Sequence, residues 1–172
     1  SMACLLVRLH LAGVYWGDCS LSNILFRREG GELGAYVVDV ETSSIYEQVS
    51  DGQREQDLMI MRENVDGDLT DLSFEYPALT EVSLEDLSQS IIDRYNKLWD
   101  EINKEVFISK EERYKIQERI KTLNQMGFSV DEVELINFGD QEKLKMRAIV
   151  TDQSYHRHTL HSLTGIVAKD NE

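Results

Sequence analysis

The spacing of apolar residues changes once between Ser83 and Val150, and this change limits the possible folds more than any other feature. From Ser83 apolar side chains recur every third or fourth residue, which is typical of an amphipathic helix. The stripe consists of Leu84, Leu87, Ile91, Tyr95, Leu98, Ile102 and Val106, widened by Ile92 and Trp99. Further on, Leu144, Met146, Ala148 and Val150 instead alternate with Lys143, Lys145 and Arg147, which is typical of a half-buried strand. The pattern therefore predicts a mixed fold in which helices precede strands.

A second helix is predicted between these two segments. Ser109-Lys-Glu-Glu112 is a capping box, and Ile116, Ile120 and Leu123 follow at helical spacing. We expect the two helices to pack as an antiparallel hairpin. Residues 130–138 are the expected partner of the alternating strand in a small β-hairpin, and residues 155–166 are expected to form a short helix.

The first half of the chain predicts shorter elements. Residues 3–12 are apolar at helical spacing and are followed by Gly13, a typical helix end. Residues 24–27 and 35–38 indicate a small hairpin, and residues 51–64 a helix that begins at Ser50 or Asp51. Residues 66–82 are acidic and contain Pro77, which predicts a loop. The expected fold class is α+β and mostly helical.

The charge of the chain excludes some partners. Lys and Arg number 18 against 32 Asp and Glu, a net charge of −14. Phosphate backbones repel such a chain, so we expect no nucleic-acid partner. No apolar run approaches the roughly 20 residues that span a membrane, and two Cys suit a reducing compartment, which predicts a cytoplasmic protein without a transmembrane segment. Residues 39–86 hold fourteen of the carboxylates and only two basic residues, so they form a solvated acidic surface or partly surround a divalent cation.

One constellation of residues indicates chemistry. The run Trp16-Gly-Asp18-Cys-Ser-Leu-Ser-Asn23 is followed by Val37-Val-Asp39-Val-Glu41. Phosphoryl transfer needs a carboxylate that orients the attacking hydroxyl and oxygen ligands that hold Mg²⁺. An Asp and an Asn five residues apart on one tight loop can face a common site. A second Asp at the end of the neighbouring strand can join the Asn on the metal.

These residues resemble the catalytic loop and metal-binding segment of the protein-kinase-like superfamily, whose patterns are H-x-D-x-x-x-x-N and D-F-G. The likeness is greatest to its bacterial aminoglycoside- and lipopolysaccharide-kinase-like branch, which often carries G-D-x-x-x-x-N and D-x-E/D. The resemblance implies that Asp18 is the catalytic base and that Asn23 and Asp39 bind Mg²⁺ and ATP. It also implies that Glu41, in the place of the D-F-G glycine, is a further metal ligand, and that Asp57 braces the backbone of the catalytic loop.

More narrowly, residues 5–166 are similar to uncharacterised bacterial proteins that join such a catalytic segment to a C-terminal domain of unknown function, number 4032. Besides the loop, the likeness lies in residues 50–54, 94–100 and 163–165. It implies a kinase-like C-lobe core over residues 3–82 and a C-terminal extension over 83–172. The implied activity is transfer of the γ-phosphoryl group of ATP to a hydroxyl of a sugar, small molecule or protein. The alternative is a non-catalytic, pseudokinase-type binding or scaffold module.

The sequence also departs from the kinase pattern. Trp16 stands where these kinases usually have a His that ties the loop to the metal-binding segment. The Gly-rich loop, the strand Lys and its partner Glu of the N-lobe are absent from the sequence, so we expect this chain to be inactive alone. Loss of that lobe would expose apolar surface, which predicts a homodimer that buries residues 5–11.

Three other features have structural interpretations. His156, His158 and His161 are expected on a surface helix rather than at a metal site. Cys19 is expected to pack the loop, because Asp18 beside it opposes a thiolate. Tyr95 and Trp99 are expected in the core.

Overall fold

The structure is a computed structural model that describes residues 2–29, 32–76, 84–126, 128–138 and 141–150. It has an α+β fold that is mostly helical, with small antiparallel sheets, so the predicted fold class is confirmed. The chain divides into two compact units, Ser1–Lys104 and Glu105–Glu172. In the described part of the chain no helix combines the length and the apolarity that crossing a bilayer requires.

The first unit is built from three helices and two short sheets. In chain order its elements are α1 (Met2–Leu11), β1 (Val14–Tyr15), a 3-10 turn (Leu21–Asn23), β2 (Ile24–Glu29), β3 (Glu32–Val37), β4 (Ser44–Ile45), α2 (Asp51–Glu75) and α3 (Leu84–Asn103). Both sheets are antiparallel pairs, β1 with β4 and β2 with β3. The predicted hairpin is therefore confirmed, and its strands are longer than expected.

Helix α1 lies inside this unit. Its apolar residues Leu5, Leu6 and Val7 are buried, as is His10. The helix ends before Gly13, whose φ of 78° lies in the left-handed region that glycine adopts without strain. The chain itself already covers most of residues 5–11, so the exposed apolar surface expected there is largely absent from the described residues, and the homodimer stays a prediction.

Helix α2 is longer than the sequence indicated. It begins at a capping box in which the Ser50 hydroxyl accepts from the Gln53 N–H, as predicted for this start. It then continues to Glu75, so the prediction of a loop from residue 66 is wrong as far as Glu75. Residues 77–82, the remainder of that predicted loop, lie outside the described residues.

Helix α3 packs against α1 and α2 and thus belongs to the first unit, although the division at residue 83 assigned it to the extension. Tyr95 and Ile102 are fully buried on its apolar stripe. The helix ends at Asn103, so Val106, the last position of the predicted stripe, does not belong to it.

The second unit is a three-stranded sheet with one helix. Its elements are β5 (Val106–Ser109), a 3-10 turn (Lys110–Glu112), α4 (Tyr114–Gln125), β6 (Phe128–Phe138) and β7 (Gln141–Val150). The strand order is β5-β7-β6, and β6 pairs with β7 in the predicted hairpin, with Leu135 opposite Leu144. In chain order β5 follows α3 and precedes α4, so the two helices are not joined by the short loop of the expected antiparallel hairpin, and α4 packs on β6.

Local polar contacts stabilise this unit. The Ser109–Glu112 capping box forms as predicted, although it opens the 3-10 turn that precedes α4. Arg113 donates two hydrogen bonds to the Glu142 carboxylate, with Nε 2.9 Å from Oε2. The predicted tail helix over residues 155–166 and the three histidines in and near it lie outside the described residues.

Candidate functional site

The loop of residues 16–20, with the 3-10 turn that follows, connects β1 to β2 and carries the predicted catalytic residues. At its start Gly17 has a φ of 79°, and a side chain there would lie 3.1 Å from the Thr42 carbonyl oxygen. Glycine is therefore required here, where the backbone turns after β1 and passes close to Thr42 in the segment that follows β3. The loop leads directly into β2, so the hairpin holds its far end.

Asp57 fixes the start of this loop from α2. Its side chain is fully buried and its carboxylate accepts from the backbone N–H groups of Trp16 and Gly17, each at 2.8 Å. A buried carboxylate is stable only when such donors surround it. The contact has the geometry expected of a residue that braces the loop backbone.

Two residues behind the loop extend this arrangement. His10 on α1 has Nε2 at 3.0 Å from Asp57 Oδ2 and Nδ1 at 2.7 Å from the Tyr95 hydroxyl. Since a carboxylate only accepts, Nε2 carries a proton and donates to Asp57. The Tyr95 oxygen in turn accepts from Arg54 at 3.3 Å. Burial raises the pKa of Tyr95 to about 12, so the phenol is neutral in the folded protein.

Asp18 lies between two amides. Asn23 Nδ2 donates to Asp18 Oδ2 at 2.8 Å, so the structure brings together the predicted base and the first predicted metal ligand. Asn64 Nδ2, from α2, donates to the other oxygen, Oδ1, at 3.2 Å. One bond to each oxygen leaves further lone pairs for a substrate hydroxyl. The carboxylate is only half-buried.

Asp68 holds the next part of the loop. Its Oδ2 accepts from the Leu21 N–H at 2.9 Å, and Leu21 is the first residue of the 3-10 turn that ends at Asn23. Ser20, which precedes the turn, does not cap it with its side chain, and its hydroxyl lies 2.9 Å from that of Ser22. The cap of this turn therefore comes from α2.

Asp39 and Glu41 lie at the other side of the hairpin end. The Val38 N–H donates to the Asn23 carbonyl at 3.0 Å, so the segment with Asp39 leaves the hairpin beside the turn with Asn23. Asp39 Oδ1 accepts from the Glu41 N–H at 3.0 Å, and both side chains are exposed. The indole N–H of the buried Trp16 donates to the Asp39 carbonyl at 3.2 Å. Trp16 thus ties the loop to the segment that carries Asp39.

The oxygen atoms of Asn23, Asp39 and Glu41 suit Mg²⁺ only if substrate phosphates and water complete its coordination. Among the residues that the structure describes, no three His, Cys, Asp or Glu side chains gather as a metal site. Mg²⁺ usually keeps waters and binds one or two carboxylates together with substrate phosphates, so it does not need such a cage. Asp39, Glu41 and Asn23 carry oxygen atoms of this kind, and their binding of a metal stays a prediction.

Cys19 is fully buried in the loop. Burial raises the pKa of its thiol, and the nearby carboxylates of Asp57 and Asp18 raise it further. A thiolate nucleophile is therefore disfavoured, in agreement with the predicted packing role.

The sequence did not single out four residues that contact or support the loop: His10, Asn64, Asp68 and Arg54. The spacing of Asp57, Asn64 and Asp68 was the available signal, because steps of seven and four residues place polar side chains on one helix face. It was obscured by the prediction that the helix ends at residue 64.

Comparison with protein families finds a match in the C-terminal part of the chain. The model of a domain of unknown function, DUF4032, matches residues 97–172, which include the end of α3 and the second unit. The C-terminal part of the chain is therefore similar to this family, as the resemblance implied. Searches of curated proteins and of solved structures found no match.

Proposed function

We propose that the first unit is the catalytic-loop region of a kinase-like phosphotransferase that uses ATP and Mg²⁺ and phosphorylates a hydroxyl of a sugar, small molecule or protein. The proposal is carried by one observation. A buried carboxylate, Asp57, accepts from two loop backbone N–H groups. The same loop presents Asp18 in contact with Asn23, as the resembled catalytic loop would require.

In this proposal Asp18 accepts a hydrogen bond from the attacking hydroxyl and takes up its proton as the hydroxyl oxygen bonds to the γ-phosphorus of ATP. The bond between the γ-phosphorus and the β–γ bridging oxygen breaks, and ADP leaves. Asn23 and the exposed carboxylates of Asp39 and Glu41 would hold Mg²⁺, which would neutralise charge on the phosphates when bound. Asp57 accepts from the Trp16 backbone N–H, and the Trp16 indole N–H donates to the Asp39 carbonyl. Trp16 therefore links the loop that carries Asp18 to the segment that carries Asp39. The chain alone is expected to bind nucleotide weakly and not to transfer phosphate.

Nucleotide binding by this chain tests the proposal first. Mg²⁺ with ATP is expected to raise the melting temperature, and neither component alone is expected to give the full shift. Asp39→Ala should reduce the shift, whereas Asp71→Ala, an exposed carboxylate on α2, should leave it unchanged. Equal shifts in both variants would contradict a metal site at Asp39.

Phosphoryl transfer then tests the chemistry. In the protein translated from the whole gene, transfer of labelled phosphate from ATP is expected and should be abolished by the isosteric Asp18→Asn. The loss of a general base typically lowers the rate about 10²- to 10⁴-fold. Transfer that persists in this variant would remove Asp18 from the mechanism.

A second candidate function is a non-catalytic binding or scaffold module. It is favoured by the amides of Asn23 and Asn64, which engage both Asp18 oxygens and give this carboxylate a structural role. In that case Asp18→Asn should lower stability without changing nucleotide binding. Mg²⁺-dependent nucleotide binding that Asp39→Ala weakens would exclude a purely structural role for the site.

A further inference from the structure

We propose that Asn64 and Asp68 are positioning residues through which α2 sets the geometry of the site, Asn64 by fixing the Asp18 carboxylate and Asp68 by fixing the turn that carries Asn23. This inference rests on the proposed function for its catalytic consequence. Its structural part, that α2 orders the loop, is testable without any activity.

The contact with Asp18 is the first step of the argument. Asn64 Nδ2 lies 3.2 Å from Asp18 Oδ1, and Asn23 Nδ2 lies 2.8 Å from Oδ2. Asn23 belongs to the same loop as Asp18, so by itself it cannot fix the loop relative to the helices. Asn64 supplies a second, external point, and a carboxylate held at both oxygens cannot rotate without losing one bond.

The contact with Leu21 is the second step. The first N–H groups of a helical turn lack partners within the turn and need an acceptor. Asp68 Oδ2 provides it for Leu21 at 2.9 Å. Since Asn23 is the last residue of this turn, the bond to Asp68 helps to fix the backbone from which the Asn23 side chain reaches Asp18.

The amino-acid composition of α2 supports a positioning role for Asn64 and Asp68. Asn and Asp are poor helix formers compared with Ala, and both lie within a helix that continues to Glu75. They share a face with Asp57, which holds Trp16 and Gly17. The three side chains thus contact the loop in chain order, from its first residues to the 3-10 turn.

Hydrogen exchange of the backbone amides, measured by NMR on this chain, tests the structural part. Asp68→Ala should speed exchange of the Leu21 amide at least tenfold, because its acceptor is lost. Asn64→Ala should speed exchange across residues 18–23. Glu63→Gln, an exposed neighbour on α2, serves as the control and should leave these amides unchanged. Unchanged loop exchange in both test variants would overturn the inference.

Kinetics in the protein from the whole gene test the catalytic part. Asn64→Ala should lower kcat about tenfold or more with little change in KM for ATP, because a misplaced base affects the reacting step. Asn64→Asp should lower kcat further, since a second carboxylate faces Asp18. Asn64→Gln, which keeps the amide on a longer side chain, should restore part of the activity. If kcat in the three variants simply follows their global stability, and not the order Gln, Ala, Asp from highest to lowest, Asn64 has a merely structural role.

The proposed function and the positioning role of α2 can be disproved independently of each other. If the wild-type protein transfers no phosphate but the exchange results hold, the proposed function is wrong and the positioning of the loop by α2 stands. If the protein is active and Asn64→Ala changes neither kcat nor loop exchange, the proposed function stands and this inference is wrong.

Discussion

At the scale of single residues, the loop depends on a few groups that have no substitute. Asp57 accepts from two backbone N–H groups and from His10, all in a buried position. Gly13 and Gly17 have positive φ angles where the chain passes close to neighbouring backbone. A substitution at one of these positions leaves buried donors unpaired or forces strands apart. It should therefore lower the free energy of unfolding more than a substitution at an exposed residue does.

Asp57→Asn gives the sharpest prediction at this scale. The amide keeps the shape but presents an N–H₂ group to donors, so at least one buried N–H loses its acceptor. The free energy of unfolding should fall by roughly 3 kcal/mol, measured in urea. Asp51→Asn at the start of the same helix removes only an exposed pair with Arg54 and should cost less than about 1 kcal/mol. Similar losses for the two variants would contradict the bracing role.

A pair of glycine variants separates backbone strain from helix propensity. A Cβ at Gly13 would lie 2.2 Å from the Tyr46 carbonyl oxygen, so Gly13→Ala must separate β1 from β4. We expect a loss of about 2–4 kcal/mol in the free energy of unfolding. At Gly67 on α2 a Cβ meets nothing within 4 Å, so Gly67→Ala should add about 0.5–1 kcal/mol. A destabilised Gly67→Ala would indicate that the helix does not extend through this position.

At the scale of elements, the sequence predicts those boundaries that local chemistry decides. Ser50 starts α2, Gly13 follows the end of α1, and the alternation over residues 144–150 marks a strand. The loop predicted from residue 66 rested on acidic composition and Pro77, and Asp66, Gly67 and Asp68 are also weak helix formers. Contacts distant in sequence outweigh that weakness, since Val65 is buried and Asp68 caps the turn at Leu21.

The residues of the candidate site likewise divide into those that the local sequence indicates and those that only the fold brings together. Asp18, Asn23 and Asp57 were found because their spacing matches a known pattern, and the structure brings Asn23 to Asp18 and Asp57 to the loop backbone. His10 and Tyr95 were not recognised as part of this network, because a polar group on an apolar helix face gives no indication of its partner. Only the packing of α1, α2 and α3 brings the imidazole, the carboxylate and the phenol together.

This network joins three helices and predicts a pH dependence. The pKa of Tyr95 is about 12 in the folded protein against an ordinary value of 10.0, so the folded state holds the phenolic proton more tightly than the unfolded chain. The contribution of Tyr95 to stability is thus complete below pH 10 and is lost as the pH rises toward 12.

Comparison with Tyr95→Phe measures that contribution. The variant loses the bonds to His10 and Arg54, so it should be less stable than the wild type at pH 8. Between pH 10 and 12 the difference in urea-unfolding free energy should narrow. Tyr114→Phe, in which an exposed phenol is removed, is the control. A difference that stays constant across this range would show that the Tyr95 hydroxyl does not hold its proton as the network requires.

At the scale of the whole molecule, charge is unevenly distributed between the sequence segments. The net charge is −14, and residues 39–86 contribute −12 of it from fourteen carboxylates and two arginines. Most of this segment is α2, whose outer face is acidic and exposed. Like charges on one helix repel each other over distances comparable to the Debye length, which is about 10 Å at 0.1 M salt. The folded state is therefore expected to be less stable at low ionic strength.

Salt titration of the melting temperature tests this expectation and calibrates the metal experiment. NaCl from about 10 to 150 mM should raise the melting temperature by a few degrees, because screening weakens the repulsion. MgCl₂ at the same ionic strength should give a larger increase only if a specific site contributes, and Asp39→Ala should then remove the excess. If the two salts agree at matched ionic strength, and ATP adds nothing to the magnesium effect, the carboxylates beside the loop act only as acidic surface. A melting temperature independent of NaCl would show instead that the ion pairs and helix contacts of α2 already offset its repulsion.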